Sequence, residues 1–278
     1  MIVEIAGGSI AGFDHTKPGQ PGYTNNHDSF SWKQSEDLVI AVVTDGCSKG
    51  KHSEIGSKIA NSILVKILFD ELNRLMKTYP DFECNDLFWQ RIQARVISRL
   101  TVLTEFMGES ISEIVSNHFL FTCIGVVMTP KKTYIFSLGD GMYVLNGEIN
   151  ELGPFHKNAP PYMMYALTGS SLFDESPELL KIQINEEIAT CDVQTLLLGT
   201  DGIMDLLNIE NECIPGQSNL VGPLNQFWDE DKFFRNPDMI RRRLAMINKE
   251  TVAGNKITPG LLPDDTTCIV VRQPEPIG

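Results

Sequence analysis

The sequence predicts an α+β fold on three observations. Strand-like apolar runs gather in groups and helices gather in pairs, without the regular alternation of a doubly wound sheet. Two long amphipathic helices follow one another directly. No Pro/Gly/Ser-rich tract and no internal repeat divides the chain, so residues 1–278 read as a single domain.

The first strand-like run, Leu38–Val43, is apolar and β-branched throughout, the pattern of a strand buried on both faces. After a polar, Gly-containing loop, Ile55, Ile59, Ile63, Ile67, Leu68, Leu72 and Leu75 recur at helical spacing over residues 55–76, and Tyr79-Pro80 closes that helix. A second amphipathic stretch, about Asp86 to Phe106, carries Leu87, Ile92, Val96, Leu100 and Leu103. Together they predict an antiparallel helix pair packed on one face of a sheet. Strands are expected next at Phe119–Met128, Thr133–Leu138, Met142–Leu145, Leu180–Ile184 and Val193–Leu198. A helix begins near Asp201, another covers about Pro237–Glu250, and Thr267–Val271 reads as a final strand. Residues 153–177, rich in Pro, Gly and Met, read as an irregular surface insert or flap.

Charge narrows the function. Asp and Glu number 36 against 23 Lys and Arg, a net charge of −13. Phosphate backbones and anionic membranes recruit the opposite balance, so neither nucleic acid nor a membrane surface is expected as a partner. The start of the chain, Met1-Ile-Val-Glu-Ile5, has no basic n-region, and the longest clean apolar run is far too short to span a bilayer. Cytoplasm is the expected compartment. The six cysteines are scattered without a C-x-x-C pair and read as free thiols.

One acidic pattern recurs: an apolar run, one or two small or polar residues, then Asp-Gly. It stands at Thr44-Asp45-Gly46, Gly139-Asp140-Gly141 and Thr200-Asp201-Gly202. Asp264-Asp265 precedes the last strand, and Asn26-His-Asp28 lies ten residues before the first. Asp-Gly is a common turn dipeptide, and a hairpin turn suits Asp140-Gly141, where a strand follows at once. It suits Asp45 and Asp201 less, because helices or long loops follow them. Carboxylates at the ends of several strands of one sheet converge and repel unless a cation neutralises them. An oxygen-only set favours Mg2+ or Mn2+. Zinc is disfavoured, since the five histidines show no metal spacing.

In chain order, Asn26-His-Asp28, Thr44-Asp45-Gly46, Gly139-Asp140-Gly141, Thr200-Asp201-Gly202-Ile-Met-Asp205 and Asp264-Asp265-Thr266-Thr267 resemble the acidic motifs of the metal-dependent PP2C-type protein phosphatases. The resemblance runs from about Gly8 to Val271. It implies a four-layer αββα sandwich with two ions, Mg2+ or Mn2+, at one end of the β layers. By that resemblance Asp45 bridges the two ions and, with Asp201, carries the catalysis. The Gly46 carbonyl adds an oxygen, Asp201 and Asp264 complete the ligand set, and Asp28 acts through bound water. Asp140 and Asp205 correspond to a looser third metal site, while Asp265 has no assigned role. The implied chemistry is attack by a hydroxide shared between ions about 3.5–4 Å apart, on phosphoserine or phosphothreonine in a protein substrate. The implied enzyme is a monomer.

Two departures bear on the substrate. The family's phosphate-gripping Arg, five residues before Asp28, is here Tyr23, and the nearby cationic candidates are His15, Lys17, Lys49, Lys51 and His52. The family's Asp-Gly-x-Gly-Gly is here Asp45-Gly-Cys-Ser-Lys-Gly50, and Cys47 stands where some members place a histidine. The alternative reading is a catalytically weak or inactive phosphoprotein-binding module. Gly7-Gly-Ser9-Ile-Ala-Gly12 lacks the helix that a dinucleotide loop needs, Arg241-Arg-Arg243 reads as a solvated helix face, and Tyr162-Met-Met-Tyr165, Phe88-Trp89 and Phe227-Trp228 read as packing.

Overall fold

The computed structural model describes residues 2–16, 25–108, 110–156, 159–254 and 256–274. Their strands are β1 (Glu4–Ile10), β2 (Ser29–Gln34), β3 (Val39–Gly46), β4 (Phe121–Met128), β5 (Lys132–Leu138), β6 (Gly141–Leu145), β7 (Glu148–Leu152), β8 (Gln183–Ala189), β9 (Thr195–Gly199), β10 (Thr251–Ala253), β11 (Lys256–Thr258) and β12 (Thr266–Arg272). The helices are α1 (Ser53–Thr78), α2 (Asp86–Met107), α3 (Ile111–His118), α4 (Tyr165–Thr168), α5 (Gly202–Asn208), α6 (Gln226–Asp229), α7 (Lys232–Arg235) and α8 (Met239–Ile247). Two five-stranded antiparallel sheets result, in the orders β1-β12-β9-β6-β7 and β2-β3-β4-β5-β8, with β10-β11 a separate hairpin. Among the described residues no helix is long and apolar enough to cross a membrane.

Strand periodicity explains the layering. Alternate side chains of a strand face opposite sides. In β3, Val39, Ala41 and Val43 enter a core between the sheets with Ile124, Leu198 and Ile269. Ile40 and Val42 enter a second core, against Leu64, Leu68 and Leu72 of α1 and Ile92 and Val96 of α2. A third core packs Val144, Leu197 and Val270 against Ile203 of α5, Phe227 of α6 and Leu244 of α8. Three cores separate four layers, helix–sheet–sheet–helix. The run Leu38–Val43 is apolar throughout because both of its faces are interior.

Helices α1 and α2 form the expected antiparallel pair. Glu71, near the end of α1, bonds Arg95, near the middle of α2, at 2.7 Å. Asn85 caps α2 by accepting from the Phe88 amide at 3.0 Å, and Ser110 caps α3 by accepting from Glu113. The buried stripe of α1 is Ala60, Leu64, Leu68, Leu72 and Leu75, whereas Ile55 is exposed and Ile59 and Ile63 are half-buried. Each four-residue step precesses about 40° around a helix, so a stripe begun at Ile55 starts on the edge of the buried face. Leu87 of α2 is likewise exposed, and Phe88 and Trp89 take the core; Trp89 packs on Phe136 at 5.0 Å.

Other expectations are corrected. The strand expected at Leu180–Ile184 begins only at Gln183, because Pro177–Leu180 is a 3-10 turn. The Gln93 side chain clamps that turn, donating to the Leu180 carbonyl at 2.6 Å and accepting from the Ile182 amide at 3.0 Å. Asp140-Gly141 is not a hairpin turn: β5 pairs with β4 and β8, while β6 pairs with β7 and β9, so the chain changes sheet there. Gly7-Gly8 lies inside β1, paired with β12. The Arg241-Arg-Arg243 run splits: Arg241 and Arg242 bond Asp238, but Arg243 turns inward to the Val221 carbonyl at 2.7 Å and to Gln226 at 3.0 Å. The described residues of the insert at 153–177 carry only short helical turns, and its centre is interior, with Met163 and Met164 fully buried.

Candidate metal centre

The predicted acids come to one end of the sandwich, each carried by a strand end. Asp45 is the penultimate residue of β3, Asp140 links β5 to β6, Asp201 joins β9 to α5, and Asp264 precedes β12. These four line one cavity of about 460 Å3, with His15, Cys47, Lys49 and Tyr162 also in its wall. Asp28, just before β2, is buried among them, 2% exposed. Asp205 sits one turn along α5 from Asp201 and within the field of Asp264.

Glycine follows Asp45 and Asp201 for a reason other than turn geometry. Gly46 ends a strand and Gly202 begins a helix. A Cβ on Gly46 would stand 2.8 Å from the Ser53 carbonyl oxygen, and one on Gly202 would stand 2.1 Å from that of Asp265. The missing side chains let β3 approach α1, and α5 approach the loop carrying Asp264. Polar groups lock the same contact: Asn61 of α1 donates to the Val42 carbonyl at 3.0 Å and to Thr44 at 3.2 Å, and Ser57 donates to the His27 carbonyl.

Crowding of like charge in a dry site raises the carboxyl pKa values. Asp45 is held well above the usual carboxylate range by burial first, then by Asp28, Asp201, Asp264 and Asp140. Asp28 is raised by burial, Asp265 and Asp201, against a hydrogen bond from Thr200. Asp201 is raised to about 7 by burial, Asp264 and Asp140. Asp140, Asp205 and Asp264 are raised chiefly by burial.

Asp28 supplies the test of whether the residues fit a cation. Its Oδ2 accepts from Thr200 Oγ1 at 2.7 Å, but its Oδ1 is buried without a hydrogen-bond partner. An orphaned carboxylate oxygen is costly in a dry interior unless a cation or an ordered water meets it. With Asp45, Asp201 and Asp264 around it, the donor set is all oxygen, which hard divalent ions take. Among the described residues, no three of these carboxylates offer ligand atoms within 4.8 Å of one another; the trio that does is His15, His27 and Asp265.

The histidine trio is hydrogen-bonded from within. Asp265 accepts from the Gly12 amide at 2.8 Å and from the His27 amide at 2.6 Å, and its Oδ1 faces His15 Nδ1 at 3.0 Å as an ion pair. Asp265 lifts His15 to about 9, against burial, and His15 Nε2 lies 3.6 Å from Asp264. Burial lowers His27. Asp265, without a role on sequence grounds, thus ties three distant segments to the site; the only signal in the sequence is the Asp-Asp doublet. Of the cationic candidates, His15 and Lys49 line the cavity, while Lys51 and His52 stay outside its wall. Lys17 and Tyr23 lie outside the described residues.

Comparison with known proteins now bears on this arrangement. A family model described as Protein phosphatase 2C matches residues 12–251. No curated protein matches the chain. Among solved structures, the serine/threonine phosphatase Stp1 from Staphylococcus aureus is 13% identical, with 99% of this chain and 96% of that one aligned at a TM-score of 0.54. A bacterial serine phosphatase is 14% identical over 99% of this chain and 100% of its own, also at 0.54. A C. elegans sex determining protein, 10% identical, aligns over 98% of this chain and 65% of its own at 0.51. At such identities the likeness is one of fold.

Proposed function

The chain belongs to the protein phosphatase 2C family, and on that premise we propose that it is a metal-dependent phosphatase acting on phosphoserine and phosphothreonine in proteins. The observation that carries the reading is the convergence of Asp45, Asp140, Asp201 and Asp264 on one cavity, around a buried Asp28 whose Oδ1 lacks a partner. Asp45, Asp201 and Asp264, with the Gly46 carbonyl, would hold two ions, Mg2+ or Mn2+, and Asp140 and Asp205 a third. When bound, such a pair supplies an acidified water as nucleophile and positive charge for the phosphoryl oxygens. Asp28, fixed by Thr200, accepts a hydrogen bond from the attacking water and so orients it. His15, kept cationic by Asp265, and Lys49 offer charge to the phosphate. The reading carries with it one catalytic domain, a cytoplasmic location, a monomer, and no nucleic-acid or membrane partner, in keeping with the charge of −13.

Phosphate release from a phosphothreonine peptide, a phosphotyrosine peptide and a small aryl phosphate, each with and without Mn2+, tests the reading. Mn2+-dependent turnover of the phosphothreonine peptide is expected, and EDTA abolishes it. Turnover of the aryl ester alone would remove the protein substrate from the account. Mn2+ binding without any turnover would favour the phosphoprotein-binding module instead.

A pH dependence follows from the carboxyl groups. Raised native pKa values stabilise the cation-free fold below the unfolded value, about 3.9 for Asp. That contribution is lost as pH rises through the native values, for Asp201 through about 7. Divalent ions need the same oxygens deprotonated. The rise in Tm on adding Mn2+ is therefore expected to be larger at about pH 8 than at about pH 6, with protons released on binding. Thermal melts in matched buffers check this, and an increment that shrinks with pH would contradict it.

A further inference from the structure

Histidines that show no metal spacing along the chain meet in space. His15 stands in a 3-10 turn after β1, His27 lies shortly before β2, and Asp265 comes directly before β12. One ligand atom from each lies within 4.8 Å of the other two. The two imidazole rings are 5.2 Å apart, tilted by 42°. His27 and Asp265 are 1% and 2% exposed, and the Nδ1 of His15 is buried.

His15 and Asp265 meet as two ligands of one ion would, rather than as donor and acceptor. Nδ1 and Oδ1 are 3.0 Å apart, yet Nδ1 has no hydrogen-bond partner. Atoms bound at about 2.0–2.2 Å to one ion stand about 3.0–3.5 Å from each other, so this pair already has the spacing of neighbouring ligands. Asp265 is aimed before any ion arrives. Its Oδ1 accepts from the Gly12 amide at 2.8 Å and its Oδ2 from the His27 amide at 2.6 Å, and each oxygen keeps a lone pair beyond those bonds. Further carboxylates stand behind the rings: Glu54 is 4.0 Å from His27 Nε2, and Asp264 is 3.6 Å from His15 Nε2. Acids behind ligating histidines are the usual outer partners of a metal site. His15 also lines the acidic cavity, which gives an ion a way in.

We propose that His15, His27 and Asp265 form a second metal centre, distinct from the all-oxygen one, that binds a divalent transition ion of the Zn2+ or Co2+ kind. Two imidazoles and one carboxylate are borderline donors, and they leave positions open for water. Mg2+ keeps to oxygen and water, and Mn2+ is the weakest binder of the transition series, so neither is the ion favoured here. In the chain His27 adjoins Asp28 and Asp265 adjoins Asp264, so an ion at this place braces two acids of the neighbouring centre. It also keeps that corner of the cavity positive, as a protonated His15 does without it. The inference does not depend on the phosphatase reading.

Titration of the full chain with Zn2+ in excess Mg2+, with zinc-edge X-ray absorption on the product, tests it. One Zn2+ per chain is expected, with two imidazole nitrogens at about 2.0–2.1 Å. His15→Gln changes the most exposed of the three residues and leaves both amide bonds of Asp265 in place. It is expected to weaken Zn2+ binding about a hundredfold, and His27→Gln to do the same. Should the buried His27 change unfold the chain, the wild-type absorption spectrum and His15→Gln still decide. No Zn2+ bound in excess Mg2+, a bound Zn2+ with fewer than two imidazole neighbours, or an affinity unchanged by His15→Gln overturns the proposal. Absence of phosphatase turnover moves none of these readouts and strikes the phosphatase reading alone.

Discussion

Asp45→Asn is expected to lower kcat/KM on a phosphothreonine peptide by about a thousandfold or more at saturating Mn2+. The estimate follows from what the substitution removes. Asp45 stands among four other acids, Asp28, Asp140, Asp201 and Asp264, and would be a ligand of the proposed ions. Asn keeps the shape but offers one neutral oxygen in place of a charged pair. A bound cation supplies several kcal/mol of transition-state stabilisation, and each 1.36 kcal/mol is about tenfold in rate. Removing one of five crowded negative charges also relieves repulsion, so Asp45→Asn should be at least as stable as the wild type without metal. Lower activity with equal or higher Tm in EDTA is the expected pair of results. Activity within a few fold of wild type would refute the role given to Asp45.

The largest effect on stability is expected at Asp265 rather than at any ligand of the all-oxygen centre. Asp265→Ala leaves the Gly12 and His27 amides without their acceptor in a buried place, and frees His15. Each buried donor left unsatisfied costs about 1–3 kcal/mol, so the two amides together cost about 2–6 kcal/mol. That is a large share of the roughly 5–15 kcal/mol available to a folded domain. Asp265→Asn keeps one carbonyl oxygen but turns an N–H2 toward a donor, and should lose about half as much. Urea denaturation of both variants measures the difference. Losses below about 0.5 kcal/mol in both, the range of an ordinary surface change, would show that the three segments are held by other contacts.

The parts of the fold legible in the sequence are those with two buried faces. Strands β3, β4, β5, β6, β9 and β12 are the inner strands of the two sheets, and each announces itself as an apolar run. Within the two five-stranded sheets, the strands that escaped or were misplaced, β1, β2, β7 and β8, are the four edges, and the short β10-β11 hairpin escaped as well. An edge strand is half-solvated, and sequences such as Glu-Ile-Asn-Glu-Leu in β7 or Gln-Ile-Asn-Glu-Glu-Ile-Ala in β8 read as surface. Short helices α6 and α7 carry too few turns to show a period.

The site divides in the same way. Asp45, Asp140 and Asp201 were legible because each stands where an apolar strand stops and Asp264 because one starts just after it, and strand ends of one sandwich share a pole. The contacts that aim them were not. Asp265 reaches Gly12 across 253 residues and His27 across 238, and Thr200 reaches Asp28 across 172. Tyr162 comes from a segment whose composition suggests only a surface loop. No local pattern encodes such long-range contacts; they become visible only when the layers are stacked.

Calorimetric titration of the metal-stripped chain with Mn2+ at about pH 7.5, above the value of about 7 to which Asp201 is raised, tests the central claim most directly. The account predicts two ions bound per chain, and the loss of at least one of them in Asp45→Asn. No binding beyond the weak heat expected of an acidic surface, or a titration unchanged in Asp45→Asn, would contradict it.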